Sequence, residues 1–172
     1  MEIITMGIVL AIIAALLLVQ AQAMAAQDMG ISIPSNKVLM WGDPQMIYLT
    51  ASAAITPGDN VLGNGSTTVA VCANNGTAYL GTADTDDLAV LTGDETSMTH
   101  DYASGERVGI ITGNCVVRKI ADTAGVNRGC IVRVGVADGA ECQDISTGAN
   151  KYTIGRALTS ATSGNAFACH QF

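Results

Sequence analysis

From Trp41 onward, short runs of β-branched and apolar residues alternate with turns rich in Gly, Asn, Asp and Ser. Each run suits one strand, and the turns include Asn-Gly at 64–65 and Asp-Gly at 138–139. Many short strands at this spacing predict a mainly β protein, whose compact antiparallel β-barrel or β-sandwich domain covers residues 46–172. The predicted strands are 46–50, 67–72, 88–91, 108–112, 115–120, 130–136, 152–154 and 166–171.

The composition limits both the core and the partners of this domain. Aromatic residues make up only 4% of the chain, so the core is expected to consist of Val, Ile, Leu and Ala. Lys and Arg total 8 against 15 Asp and Glu, which gives a net charge of -7. Eight cationic side chains are too few to form a surface that binds along a phosphate backbone. We therefore exclude nucleic acid as a partner.

Before the β-domain, an apolar run extends from Ile3 to Val19 and, with two glutamines tolerated, to Ala26. A helix of about 24 residues would be about 36 Å long, enough to cross the hydrocarbon layer of a membrane. Gly30 and Pro34 would end such a helix. We therefore predict an N-terminal hydrophobic α-helix over residues 1–30 and a linker over 31–45.

Three interpretations of this segment compete. The small residues at 21–23 resemble the cleavage site of a secretory signal peptide, but Glu2 stands where such a peptide carries a basic residue. The retained alternatives are a helix that spans a lipid membrane and a helix buried among copies of itself.

Small residues recur along the predicted helix. Gly7, Ala11 and Ala15 are spaced four residues apart, with Ala14 beside them. Such a stripe lets helix backbones approach closely, so we predict these residues as a helix-packing face, although Ala is also simply common here.

The chain has five cysteines, at positions 72, 115, 130, 142 and 169, all within the predicted β-domain. No two of them form a C-x-x-C pair, and the two histidines, His100 and His170, complete no zinc-binding spacing. Cys130 and Cys142 flank one predicted strand and turn and are the best candidates for a disulfide. The alternative is that all five are small buried thiols.

Two N-glycosylation sequons, at Asn64 and Asn75, lie at predicted turns. They matter only if the domain reaches a glycosylating surface, and such triplets are frequent by chance in a chain rich in Gly, Asn and Thr. The acidic residues at 84–95 do not match a calcium-binding loop and are interpreted as a solvated loop.

No motif for catalysis is present. Residues 63–66 are Gly-rich but lack the Lys of a phosphate-binding loop. Cys169 and His170 are neighbours, but adjacent residues of a strand point to opposite faces and cannot easily form a thiol–imidazole pair. We predict no catalytic residue, no cofactor and no metal site.

Three phrases of the C-terminal part carry a family resemblance: YASGERV at 102–108, ITG at 111–113 before the strand 115–120, and IGRALTSA at 154–161 before Ser163 and Gly164. In this order they resemble the small head-decoration proteins of tailed viruses. The resemblance covers less than half of the chain and implies a β-barrel or β-tulip-like fold, assembly on a capsid lattice and no catalysis.

The predicted helix departs from that family. An apolar N-terminal helix followed by a β-domain is similar in layout to archaeal type IV pilins, whose helices pack in a filament core. That similarity rests on layout alone, since no processing site with basic residues precedes the helix.

The leading hypothesis is a non-enzymatic subunit of a virion surface, whose β-domain is tethered by the helix. The alternative is a pilin-like subunit of an extracellular filament, and a third hypothesis is a single-span membrane protein with a ligand-binding β-domain. The expected partners are copies of the chain itself, a major capsid protein or membrane lipid. The expected location is a virion, extracellular or cell surface, with the helix in a membrane or an assembly core.

Overall fold

The computed structural model describes residues 30–74, 76, 78–85, 101–144 and 153–172. Within these ranges every regular element is a strand, so the mainly β prediction is confirmed. The predicted helix over 1–30 lies outside the described residues except for Gly30, as does the predicted strand 88–91. The strands are β1 (Leu39–Gly42), β2 (Gln45–Ala51), β3 (Asn60–Gly63), β4 (Thr68–Val71), β5 (Gly81–Ala83), β6 (Arg107–Thr112), β7 (Cys115–Ile120), β8 (Ile131–Val134), β9 (Cys142–Asp144), β10 (Gly155–Ala157) and β11 (Ala166–Gln171).

Five strands close into a barrel in the order β2-β4-β3-β5-β6. Neighbouring strands are antiparallel except β2 and β4, which are parallel and pair Thr50 with Thr68. The expectation of a purely antiparallel domain was therefore wrong at this pair. The reason is topological, because a closed barrel with an odd number of strands cannot have antiparallel neighbours all the way round.

The other six strands form a sheet in the order β1-β7-β11-β10-β8-β9, and each pair in it is antiparallel. Strand β11 lies along the full length of β7, from Ala166 opposite Ile120 to Gln171 opposite Cys115. The two longest strands of the sheet are therefore paired along their whole length. Strand β1 falls within the predicted linker 31–45, so strand pairing begins earlier in the chain than the sequence pattern indicated.

One antiparallel ladder bends from the sheet into the barrel. In the sheet Gly42 pairs with Cys115, and in the barrel Gln45 pairs with Thr112. The two paired segments therefore cross the corner with the same number of residues between these pairs. Gly42 has a φ of 114° there, and a Cβ on it would lie 3.0 Å from both Cα and Cβ of Cys115. The corner thus requires glycine at position 42. Through this corner, the strand pairing of the sheet continues into the barrel.

Two apolar clusters fill the domain. The cluster in the barrel is built mainly from Val and Ile side chains such as Ile55, Val61 and Ile110. The cluster of the sheet contains several valines, Phe167 and four buried cysteines. The core is therefore made of small and β-branched residues, as the low aromatic content predicted, with thiols as an added component.

Candidate functional site

A lysine is completely buried where the sheet faces the barrel. Lys119 belongs to β7, and its Nζ donates hydrogen bonds to the carbonyl oxygen of Gly58 at 3.2 Å and to Oδ1 of Asn60 at 2.6 Å. Asn60 is the first residue of β3 and is also fully buried. A buried ammonium without acceptors would be very unfavourable, so these two oxygens are what allows Lys119 to lie inside the protein.

Asn60 connects this lysine to the loop before β9. Its Nδ2 donates to the carbonyl oxygens of Glu141 at 2.6 Å and Gly139 at 3.3 Å, and its backbone N–H donates to Ala140 O at 3.0 Å. The same Nδ2 lies 3.5 Å from Sγ of Cys142. Both ends of the Asn60 amide therefore have partners, which fixes the orientation of its carbonyl toward Lys119.

The surroundings of Lys119 favour its neutral form. Burial lowers the pKa of Lys119, and the neighbouring carboxylate that acts against this is Asp59. Burial raises the pKa of Cys72 to about 12 and raises the pKa of Cys142 and Cys169 as well. These thiols are therefore protonated at neutral pH, so they supply no negative charge to Lys119 and are poor nucleophiles.

A second buried polar group lies between the end of β11 and the barrel. Oε1 of Gln171 accepts hydrogen bonds from the Tyr79 hydroxyl at 2.5 Å and from Thr82 Oγ1 at 2.6 Å. Its Nε2 donates to the carbonyl oxygen of Ile111 at 3.0 Å. Gln171 thus joins the sheet to β5 and β6, as Lys119 joins it to β3.

A cleft of about 370 Å³ opens beside the Lys119–Asn60 pair. Its walls include Gly58 and Glu141, whose carbonyl oxygens accept the hydrogen bonds described above, together with Asp59 and Asp138. Burial raises the pKa of Asp59 to about 6. The N–H of Thr56, which donates to Oδ2 at 2.8 Å, acts in the opposite direction and lowers this pKa. Burial, with Asp138 nearby, also raises the pKa of Glu141.

The raised pKa of Asp59 makes the stability of the fold depend on pH. Because the folded pKa of about 6 exceeds the ordinary 3.8, ionisation of Asp59 costs stability as the pH rises from 3.8 to 6. We expect Asp59→Asn, which can still accept the Thr56 N–H, to raise the free energy of unfolding at pH 7.5 by about 2 kcal/mol. The difference should shrink below pH 4 in urea titrations. The exposed Asp43→Asn is the control, and a less stable Asp59→Asn variant at pH 7.5 would contradict the prediction.

An exposed groove of about 430 Å³ lies on the outside of β2 and β6. The Arg107 guanidinium stacks 4.5 Å from the centre of the Tyr48 ring, and Tyr48 is 54% exposed. Met46, Gly109 and Asp84 are among the other residues that line the groove. The site offers a flat aromatic surface between a cation and a carboxylate, which suits contact with another molecular surface more than chemistry on a substrate.

The structure corrects the predicted disulfide. All five cysteines are free thiols, and Cys142 pairs with Val134 in the β8–β9 ladder. Cys130 precedes Val134 by four residues along the same chain, so the two cysteines are separated by about 13 Å, well beyond the Cα–Cα reach of a disulfide.

The remaining predicted sites divide by location. Asn64 is exposed at the turn between β3 and β4, a position compatible with a sequon, whereas Asn75 lies outside the described residues. Gly7, Ala11, Ala14 and Ala15, the predicted helix-packing face, also lie outside them. Within the described ranges there is no group of three or more His, Cys, Asp or Glu side chains suited to a metal ion.

Lys119, Asn60 and Gln171 were not predicted as site residues. A signal for Lys119 was available, because Cys115, Val117 and Lys119 alternate along β7 and all point to its buried face. Asn60 carried no such signal, since it ends the run 57–60, which has the composition of a turn.

In comparisons with known proteins, no family model matches the chain and no curated protein is significantly similar to it in sequence. Among solved structures, the chain is similar to the N base of the head fiber gp8.5 of bacteriophage phi29. The match has a TM-score of 0.51 at 12% identity and covers 76% of this chain and 95% of that one. At this identity the likeness concerns the fold. It lends no support to the pilin-like layout.

The described residues contain no helix with the length and apolar character needed to span a membrane.

Proposed function

We propose that this protein is a structural, non-enzymatic subunit of a virus particle and lies on the surface of the head. The observation that carries the proposal is the fold shared with the base of a phage head fiber, over 76% of this chain. The sequence phrases that resemble head-decoration proteins support the same conclusion from a separate direction. They fall in β6, β7, β10 and the turns beside them, within the part of the chain that forms the fold.

The arrangement of the surface fits such a role. Trp41, Ile47 and Tyr48 are large apolar residues that remain exposed on β1 and β2 of this one chain. Tyr48 lies in the exposed groove beside Arg107, where an exposed aromatic ring favours contact with another protein surface. In the proposed particle the β-domain faces outward and residues 1–30 tether it. The proposed partners are further copies of the chain and a major capsid protein, or the lipid of an internal membrane, and nucleic acid is not among them.

Immunogold labelling of gradient-purified particles tests this proposal. Antibodies raised against residues 32–172 should label the heads of particles that contain nucleic acid. A parallel sample treated with mild detergent shows how the tether is held, since labelling lost with detergent places it in lipid and labelling retained places it in protein. Labelling confined to filaments free of nucleic acid, or to cells without a viral genome, would refute the proposal.

A further inference from the structure

We infer that Lys119 and Asn60 join covalently in the folded protein, through an isopeptide bond between Nζ of Lys119 and Cγ of Asn60. This site goes beyond the proposed function and does not depend on it. Both side chains are completely buried, and they meet from strands of different sheets, β7 and β3.

The reacting atoms are already close. Nζ lies 2.6 Å from Oδ1, and because a carbonyl bond is about 1.23 Å long, Cγ is no more than about 3.8 Å from Nζ. This is near the separation of reacting atoms in a near-attack geometry, about 3–3.5 Å. Rotation about the Cε–Nζ bond turns the lone pair of the neutral amine toward Cγ.

Burial supplies a nucleophile of the right kind. A protonated lysine has no lone pair to donate, and desolvation lowers the pKa of Lys119, which favours the neutral amine. The nearby thiols cannot compete as nucleophiles, since burial raises their pKa values and keeps them protonated.

The partners of Asn60 activate its amide. Sγ of Cys142 lies 3.6 Å from Oδ1, where its S–H can donate to the oxygen as negative charge develops on it. The carbonyl oxygens of Gly139 and Glu141 hold Nδ2, the nitrogen that must leave, on the side away from the amine. Gly58 and Glu141 also line the adjacent cleft, so the released ammonia would leave toward that side of the site.

The reaction needs no external reactant. The lone pair of Nζ forms a bond to Cγ, and the electrons of the C=O bond move to Oδ1. When the carbonyl re-forms, the bond from Cγ to Nδ2 breaks, and Nδ2 takes one proton from Nζ and leaves as ammonia. Lys119 and Asn60 are then joined by a secondary amide, and nothing has been oxidised or reduced.

The bond would hold the sheet to the barrel. It links residues 59 positions apart in sequence, so it restricts the unfolded chain as a disulfide with a long loop does, without depending on redox conditions. A covalent link of this kind suits a domain whose five cysteines are all free.

Mass spectrometry of the purified full chain tests the inference. The intact mass should be lower than the sequence mass by that of one ammonia molecule, also after denaturation in guanidinium. Trypsin should then yield residues 38–107 joined to residues 119–128, because Lys119 is no longer a cleavage site. The linked peptide is decisive, since cyclisation of an Asn-Gly pair also releases ammonia but leaves Lys119 free.

Lys119→Arg and Asn60→Leu should both abolish the linked peptide, whereas Lys37→Arg, which changes an exposed lysine, should retain it. The wild-type peptide map decides the question even if the first two variants fail to fold. An intact mass equal to the sequence mass, with residues 38–107 and 120–128 recovered as separate peptides, would overturn the inference.

Discussion

Asn60→Leu is expected to lower the free energy of unfolding by at least about 3 kcal/mol, because it removes an acceptor from a fully buried lysine. Of its two hydrogen-bond acceptors, Lys119 Nζ would keep the carbonyl oxygen of Gly58, at 3.2 Å. The carbonyl oxygen of Gly139 would lose the donor that Asn60 supplies, and that of Glu141 would lose one of its two donors, since the N–H of Gly135 also donates to it. Loss of the proposed covalent link would add to this effect.

Chemical denaturation monitored by the fluorescence of Trp41 would measure the change. The double variant Asn60→Leu with Lys119→Met should be more stable than Asn60→Leu alone, because it removes the buried polar amine as well as its acceptor. Asn64→Ala, at an exposed turn, is the matched control and should change stability little. If Asn60→Leu unfolded at the same denaturant concentration as the wild type, Lys119 could not be buried as described.

Gln171→Leu is expected to lower the free energy of unfolding by about 2–4 kcal/mol, since three buried polar groups lose their partner at once. The Tyr79 and Thr82 hydroxyls now share Oε1 of Gln171, and Ile111 O accepts from its Nε2. Leucine fills a similar volume but can satisfy none of them.

Thermal unfolding followed by circular dichroism would show this loss as a lower Tm. His170→Ala provides the control, because His170 is adjacent in β11 but lies on the opposite, more exposed face. A Gln171→Leu variant with a Tm equal to or above that of the wild type would contradict the prediction. Such a result would mean that the Tyr79 and Thr82 hydroxyls, which lie 2.9 Å apart, hydrogen-bond to each other and do not need Gln171.

The sequence predicted best the longest strands, those of six or seven residues. Residues 115–120 and 166–171 match β7 and β11 at both ends, and 46–50 and 108–112 fall within β2 and β6. The strands β5, β9 and β10 have three residues each, too few to show a period of two. They form strands because neighbouring strands offer them backbone hydrogen bonds. Those neighbours are set by the tertiary fold, which the local sequence does not show.

The site was harder to predict than the fold for the same reason. Asn60 follows a Pro-Gly-Asp sequence and has the local character of a turn, yet it begins β3. Its meeting with Lys119 depends on how the barrel and the sheet pack, and no local pattern encodes that. The failed disulfide between Cys130 and Cys142 has the same cause, since nearness in sequence does not determine register along a ladder.

The ladder through the corner also determines when the chain can fold. Strand β1 has one partner, β7, and Leu39 pairs with Val117, so the pair forms only after a long segment has been made. Closing such a long loop is entropically costly and slows folding. Strand β2 likewise waits for β6 to complete the barrel. A nascent chain can therefore complete the barrel once β6 has been made, whereas a fragment that ends before β7 has none of the strand pairs of the six-stranded sheet.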